Sequence, residues 1–90
     1  MEFEWDPNKA LANFRKHRVS FELAQEVWDD PLHIVLHAGI EAGEERWLAM
    51  GRVEPFTLLV VVHTDRGEVV RIVSARKATP HERRIYEEEA

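Results

Sequence analysis

The sequence predicts a single α+β domain built on an antiparallel sheet. Apolar residues recur at helical spacing before residue 30, whereas apolar and polar residues tend to alternate over residues 32–75. A helix-start signal follows near the C-terminal end. Ninety residues are too few for two independently folded domains, so residues 1–90 are expected to form one domain. The expected architecture is about four antiparallel strands plus a short N-terminal strand, two N-terminal helices and one C-terminal helix.

The first residues predict a short strand and then a helix. Phe3-Glu4-Trp5 alternates apolar and polar side chains, as a half-buried strand does. Asp6 is favoured as a helix N-cap, and Pro7 is favoured at the first helical position. The apolar stripe of this helix is expected to comprise Ala10, Leu11 and Phe14, with Lys9, Asn13, Arg15 and Lys16 elsewhere on its surface.

A second helix is predicted from Ser20, which is a favoured N-cap residue. It is expected to end at Asp29-Asp30-Pro31, because the residue before a proline avoids helical geometry. The core residues expected from these two helices are Leu11, Phe14, Phe21, Val27 and Trp28.

The remaining elements form a meander and a last helix. Strands are predicted at residues 33–37, 46–51, 57–63 and 69–75, with a loop at 38–43 and a hairpin connection at 65–67. Thr79 and Glu82 match a capping box around Pro80, so the last helix is predicted from Pro80 to about Glu88.

The charge is unevenly distributed along the chain. The net charge is −5, yet residues 9–18 and residues 69–86 each carry a net charge of +4. Folding could bring these two cationic segments into one positive patch, or leave them as two solvated faces. The net charge therefore does not exclude a local nucleic-acid site.

Several classes of protein and site are excluded or disfavoured. The chain has no cysteine, which excludes disulfides, thiolate zinc sites and cysteine nucleophiles. Its longest apolar run, Leu58–Val62, is too short to span a membrane, and the N-terminus does not resemble a signal peptide, so a cytoplasmic location without membrane contact is expected. His33 and His37 would lie roughly 13 Å apart on a strand, too far for one metal ion. We expect neither a metal nor a cofactor.

The strand predicted at 69–75 carries arginines in an unusual pattern. Strict alternation would place Arg71, Val73 and Ala75 on one face and Ile72, Ser74 and Arg76 on the other. Each face then has an arginine among core-like residues. Partly buried arginines need carboxylate or phosphate partners.

The chain resembles BrnT-type toxins over almost its whole length. The motifs that carry the resemblance are Phe3-Glu4-Trp5-Asp6-Pro7-Asn8-Lys9-Ala10, Lys16-His17, Glu44-Glu45-Arg46, Thr64-Asp65-Arg66-Gly67, the segment from Arg71 to Thr79, and Glu82-Arg83-Arg84-Ile85-Tyr86. The resemblance implies a RelE-like fold and a ribonuclease that inhibits translation. It also implies neutralisation by a BrnA-type antitoxin with a ribbon-helix-helix domain, so that DNA is contacted only through the antitoxin complex.

The chain departs from the family pattern in three places. Arg18 stands where relatives usually have glycine, and His63 stands where they often have tyrosine. Relatives often carry an acidic residue and a histidine in the loop before Glu44, where this chain has Ala38, Gly39 and Ile40. These departures leave open an alternative function, a catalytically weakened module that mainly binds an antitoxin and takes part in transcriptional autoregulation.

Metal-independent RNA cleavage uses the 2′-OH as the nucleophile. The protein must then supply a base, a cation for the charge on phosphorus, and an acid for the 5′ oxygen. We predict Arg71 and Arg76 as catalytic phosphate contacts, with Arg46, Lys16 and Arg83 as substrate-binding residues. Arginine suits this role because its planar fork meets two phosphate oxygens.

His17 and Tyr86 are predicted as the further catalytic residues. Imidazole titrates near neutral pH, and cations beside His17 favour its neutral, base-competent form. Tyr86 could stack on a base or donate a proton. Structural alternatives remain for each residue. The arginines could pair with Glu44, Glu82 or Asp30, His17 could bond a helix carbonyl, Lys16 could be merely solvated, and Tyr86 could pack on the sheet.

Overall fold

The structure, a computed structural model, describes residues 1–89. In chain order the elements are β1 (Glu2–Glu4), α1 (Pro7–His17), α2 (Phe21–Ala24), a 3₁₀ helix (Gln25–Asp29), β2 (Ile34–Glu41), β3 (Glu44–Glu54), β4 (Thr57–Arg66), β5 (Val69–Lys77) and α3 (Pro80–Glu89). The α+β class is confirmed. The predicted second helix is one α-helical turn that continues as a 3₁₀ helix.

The five strands form one sheet in the order β1-β5-β4-β3-β2. β2 to β5 are an antiparallel meander, whereas β1 pairs with β5 in parallel, with Glu4 opposite Arg71. The first strand of the chain therefore lies beside the last one. This pairing brings Glu4 next to a residue 67 positions away in the sequence.

Two connections differ from the prediction. The segment expected as a loop at 38–43 is mostly strand, because β2 runs to Glu41 and only Ala42 and Gly43 form the turn, both with positive φ (53° and 79°). A positive φ at both central residues is typical of a tight type I′ hairpin. The second hairpin turns at Gly67–Glu68 rather than at 65–67, since β4 continues to Arg66.

The helices cover opposite faces of the sheet. α1, α2 and the 3₁₀ helix pack on one face, with a core that includes Phe21, Val27, Leu59, Val61, Ile72 and Ala75. α3 packs on the other face, where Tyr86 covers Met50, Leu58 and Val60. Residues Phe21 and Val27 are buried as predicted, and Trp28 packs against the first core.

The contact face of α1 differs from the prediction. Leu11 and Phe14 are exposed (50% and 41%), whereas Asn13 is buried and Ala10 packs against the core. The apolar spacing was misleading because a polar residue takes the central inward position. Asn13 is retained there by its hydrogen bonds to β5, which make burial of its amide favourable.

A bulge in β5 explains the arginine pattern. Val62 is paired with Ser74 and the next residue, His63, is paired with Ile72, so Val73 is an extra residue in β5. An extra residue reverses the alternation beyond it. Ile72 and Ala75 consequently share the face of the first core, and Arg71, Ser74 and Arg76 share the opposite face.

α1 ends in a left-handed residue. Arg18 has φ 61° and ψ 26°, and its N–H bonds the carbonyl of Phe14. This is the conformation in which glycine is favoured, so the position fits the glycine expected there in relatives.

In residues 1–89, no helix is long and apolar enough to cross a membrane.

Candidate active site

α3 covers only part of its face of the sheet. Beyond its contact with Met50 and Val60, the strands continue with residues that alternate onto the same face. This uncovered region, which we call the open face, carries Leu36, Arg46, Leu48, Val62, Thr64, Arg66, Arg71 and Ser74. Glu4 adds a carboxylate from β1 beside Arg71.

Three arginines meet on the open face. Arg46, Arg66 and Arg71 come from β3, β4 and β5, and Glu4, Glu44 and Thr64 lie among them. We call these six residues the arginine cluster. Arg71 donates a hydrogen bond to Glu4 Oε2, and Arg66 donates to both oxygens of Glu44, at 3.2 and 3.3 Å. Two carboxylates therefore face three guanidinium groups.

Within the arginine cluster, Arg46 is the guanidinium that has no carboxylate partner among residues 1–89. Its Nε is buried and has no hydrogen-bond partner in the described part of the chain. On one side Arg46 is paired with Gly39, which has no side chain to offer. Continuation of the Trp47–His63 pairing places Thr64 on its other side.

The hydroxyl of Thr64 also lacks a hydrogen-bond partner within residues 1–89. Thr64 itself is 2% exposed. Buried polar atoms are nearly always satisfied, so Arg46 Nε and Thr64 Oγ1 mark a part of the open face where hydrogen-bonding capacity is left over within residues 1–89. Between Arg46 and Arg71 a ligand would meet guanidinium N–H donors and a hydroxyl, which suits an anion.

The electrostatics of Glu44 show how close the cations lie. The hydrogen bonds from Arg66 hold the pKa of Glu44 below its ordinary value, and the charges of Arg66, Arg46 and Arg71 lower it further, against a smaller opposing effect of desolvation. Glu44 therefore remains ionised and holds Arg66 in place. The cluster keeps a surplus positive charge near Arg46 and Arg71.

The first cationic segment reaches the same region from the edge of β5. Lys9, Lys16 and His17 of α1 surround Val73 and Ser74, and together with Ala12 and Asn13 they line a depression of about 240 Å³. His17 is half-buried as the last residue of α1. The structure thus places Lys16 and His17 beside Val73 and Ser74 of β5. We call Lys9, Lys16 and His17 the basic edge.

Arg76 lies farther along β5 and is engaged by α3. It donates two hydrogen bonds to the carboxylate of Glu82, at 2.7 and 2.8 Å. These bonds, first among several effects, hold the pKa of Glu82 at about 2, below its ordinary value of 4.5. Glu82 also accepts from the N–H of Thr79, which confirms the capping box. The geometry favours a structural role for Arg76, one of the alternatives open from the sequence.

Glu82 is predicted to make stability depend on pH in the acid range. Its pKa is lower in the folded chain, so its contribution is full above about pH 4.5 and is lost as the pH falls towards 2. Replacing Glu82 with glutamine is expected to lower the free energy of unfolding at pH 7 by about 1 to 3 kcal/mol. The difference from wild type should shrink on acidification, as measured by urea unfolding from pH 7 to 2.5. Glu87→Gln, at an exposed site on α3, is the control, and a difference that stays constant across this range contradicts the assignment.

Tyr86 and Arg83 also lie at the α3 end of the sheet. Tyr86 is 3% exposed, and its hydroxyl donates to Asp30 Oδ2 at 2.6 Å. Desolvation and the Asp30 carboxylate raise the pKa of Tyr86, which keeps its hydroxyl neutral. Arg83 donates to the carbonyl of Phe56 at 3.4 Å. The structure therefore separates Tyr86, Arg83 and Arg76 from the arginine cluster by about four residues of strand, roughly 13 Å.

The sequence-based list omitted several residues that the fold places at the cluster. These are Glu4, Glu44, Thr64, Arg66 and Ser74. All five fall inside family-like motifs, which was the available signal. The closeness of Glu4 to Arg71 had no signal in the sequence, because it results from the parallel pairing of β1 with β5.

Comparison with known proteins concerns the fold and the family of the chain. The structure is similar to that of the Brucella abortus ribonuclease toxin BrnT, with a TM-score of 0.65 and 22% sequence identity, over 88% of this chain and 97% of that one. At this identity the likeness concerns the fold. No curated protein shows a significant match to the chain.

The family model described as "Ribonuclease toxin, BrnT, of type II toxin-antitoxin system" matches residues 5–82. The matched segment includes α1, the whole meander and the start of α3. It also includes the three arginines of the cluster and the basic edge. The chain therefore belongs to the BrnT family of ribonuclease toxins of type II toxin–antitoxin systems.

Proposed function

We propose that this chain is a metal-independent endoribonuclease that binds the scissile phosphate between Arg46 and Arg71. The observation that carries the proposal is the pair of buried atoms without partners, Arg46 Nε and Thr64 Oγ1, on the open face. A phosphate offers acceptor oxygens to both and to the free donors of Arg71. RNA is the anion that a ribonuclease family would present there.

The chemistry follows from the groups in the cluster. The 2′-OH attacks the adjacent phosphorus, the bond to the 5′ oxygen breaks, and the products carry a 2′,3′-cyclic phosphate and a 5′-hydroxyl. Arg46 and Arg71 stabilise the negative charge that grows on the phosphate oxygens in the transition state, which is worth most in a partly buried site. The arginines supply the positive charge, so this step does not call on a metal ion.

The basic edge gives the site its direction. Lys16 and His17 lie beside Ser74, about three strand residues from Arg71, so a bound RNA would run along the edge of β5. Lys16 contacts a flanking phosphate in this arrangement. His17 is the acid–base group that the basic edge offers on the α1 side of the site. Arg76, Arg83 and Tyr86 act instead by holding α3 on the sheet.

The biological role proposed here follows the family. Cleavage of cytoplasmic RNA would inhibit translation, and a BrnA-type antitoxin with a ribbon-helix-helix domain would neutralise the chain and contact the DNA for both. The acidic surface outside the two cationic segments supports a basic protein partner.

The test is expression of the chain in a bacterial host without an antitoxin. Arrested growth and shortened cellular RNA are expected, and co-expression of a ribbon-helix-helix partner should restore growth. The purified chain should also cleave RNA in the presence of EDTA. Cleavage that requires added metal contradicts the mechanism.

The alternative function is a weakened module that mainly holds an antitoxin and takes part in autoregulation. It is favoured by Gly39, which pairs with Arg46 at the part of the chain where relatives often carry a histidine or an acid. Under this alternative, expression is harmless and the chain still co-purifies with its partner. The growth experiment separates the two.

A further inference from the structure

We propose that the carboxylate of Glu4 is the general base that removes the proton of the attacking 2′-OH. This inference rests on the proposed function and identifies one catalytic group within it. β1 places Glu4 directly opposite Arg71, and one of its oxygens, Oε2, accepts the hydrogen bond from that arginine. Its side chain is 40% exposed, so it lies at the surface where RNA would enter.

Glu4 and Glu44 differ in how many of their carboxylate oxygens accept hydrogen bonds. Both oxygens of Glu44 accept hydrogen bonds from Arg66, so this carboxylate is fixed as a partner of that arginine. Glu4 has an ion-pair contact through Oε2 only, and its Oε1 accepts no hydrogen bond from the described residues. Only Glu4 therefore has an oxygen free to receive a proton while Arg71 holds the other.

The order of groups along β5 supports the same assignment. β1 lies along the edge of β5 at Val69–Arg71, and α1 lies along the same edge at Val73–Ala75. A phosphate at Arg71 would have Glu4 on the β1 side and His17 on the α1 side. Displacement at phosphorus requires the attacking and leaving oxygens on opposite sides, so one group serves each of them.

The proton balance of the step is complete. The 2′-OH gives its proton to Glu4 Oε1 as the new bond from the 2′ oxygen to phosphorus forms. The bond from phosphorus to the 5′ oxygen breaks, and that oxygen takes a proton from His17. Exchange with water restores both groups.

Glu4 faces two cations, Arg71 on β5 and Arg66 on β4. A glutamine at position 4 keeps an amide oxygen for Arg71 but cannot take up the proton. Glu4→Gln therefore separates a base from a residue that merely orients Arg71. Glu2 is the matched control, since it lies on the same strand and the same side of the sheet and is exposed.

The experiment measures kcat for RNA cleavage from pH 4.5 to 8.5, together with binding of a 2′-O-methyl RNA that cannot react. Glu4→Gln is expected to lower kcat roughly a hundredfold. It should also abolish the rise of kcat with pH at the acid end and leave binding unchanged or tighter. Glu2→Gln should behave like wild type, and Glu4→Asp should keep the acid-end rise at reduced kcat.

Failure of the Glu4 assignment can be distinguished from failure of the proposed function. If Glu4→Gln cleaves within threefold of wild type, or keeps the acid-end rise, the assignment of Glu4 is overturned while the proposed function stands. If the wild type cleaves no RNA, the proposed function falls and this inference falls with it. Circular dichroism of each variant checks folding, and Glu4→Asp keeps the test decisive should the glutamine variant be unstable.

Discussion

Replacing Arg71 with alanine is expected to lower RNA cleavage by roughly two to three orders of magnitude while the fold stays intact. Arg71 supplies guanidinium donors at the point where charge develops on the phosphate. Among the described residues, no other arginine of β5 lies at that point. Its side chain is 29% exposed and belongs to neither core. Loss of its pair with the exposed Glu4 should cost at most about 1 kcal/mol of stability.

Two further variants sharpen this prediction. Arg71→Lys keeps the charge but loses the planar fork, so intermediate activity is expected. Arg84→Ala removes one positive charge from an exposed position on α3 and should leave cleavage almost unchanged. The measurement is the initial rate of RNA cleavage in EDTA, with circular dichroism as a check on folding. Full activity in Arg71→Ala would remove Arg71 from the site.

Asn13 is expected to be the polar side chain whose loss destabilises the fold most. Its amide group donates to the carbonyls of Val19 and Ala75, at 3.0 and 2.8 Å, and accepts from the N–H of Ala75 at 3.1 Å. It exchanges hydrogen bonds with Ala75 as a neighbouring strand would, at a part of the β5 edge that β1 does not reach. Alanine would leave these backbone groups buried without partners.

The expected cost of Asn13→Ala is about 3 to 4 kcal/mol, since each buried group left without a partner costs roughly 1 to 3 kcal/mol and the site can relax in part. This is a large share of the stability of a small domain. Urea unfolding measures it, and Asn8→Ala is the matched control because Asn8 is exposed on the same helix. A loss below about 1 kcal/mol would show that water replaces the amide. Cleavage should also fall, since Asn13 holds the basic edge against Ser74.

The sequence carried enough local information for most of the elements. The three helices begin as predicted, at Asp6 with Pro7, at Ser20, and at Thr79 with Glu82. These starts could be predicted because capping is decided by a few neighbouring residues. The strand prediction was wrong where the residue types are compatible with either a loop or a strand. Ala38, Gly39 and Ile40 resemble a loop, yet Gly39 and Ile40 pair with β3, and a bulge takes up Ala38 as an extra residue of β2.

The composition of the site could be predicted only in part. Arg46, Arg71, Lys16 and His17 were candidates because of their residue type and their family-like motifs. Arg76 and Tyr86 had the same signals, and their partners Glu82 and Asp30 become evident only in three dimensions. The face on which Arg71 and Arg76 lie depends on the bulge at Val73, which an alternating pattern cannot reveal.

The central claim is that the arginine cluster promotes attack of the 2′-OH on the adjacent phosphate. The most direct test is mass spectrometry of the products formed from a defined RNA in EDTA, beside the same RNA with every 2′-OH methylated. We predict 2′,3′-cyclic phosphate and 5′-hydroxyl ends from the unmodified RNA, and no cleavage of the methylated one. Cleavage of the methylated RNA, or 5′-phosphate ends, would contradict the account.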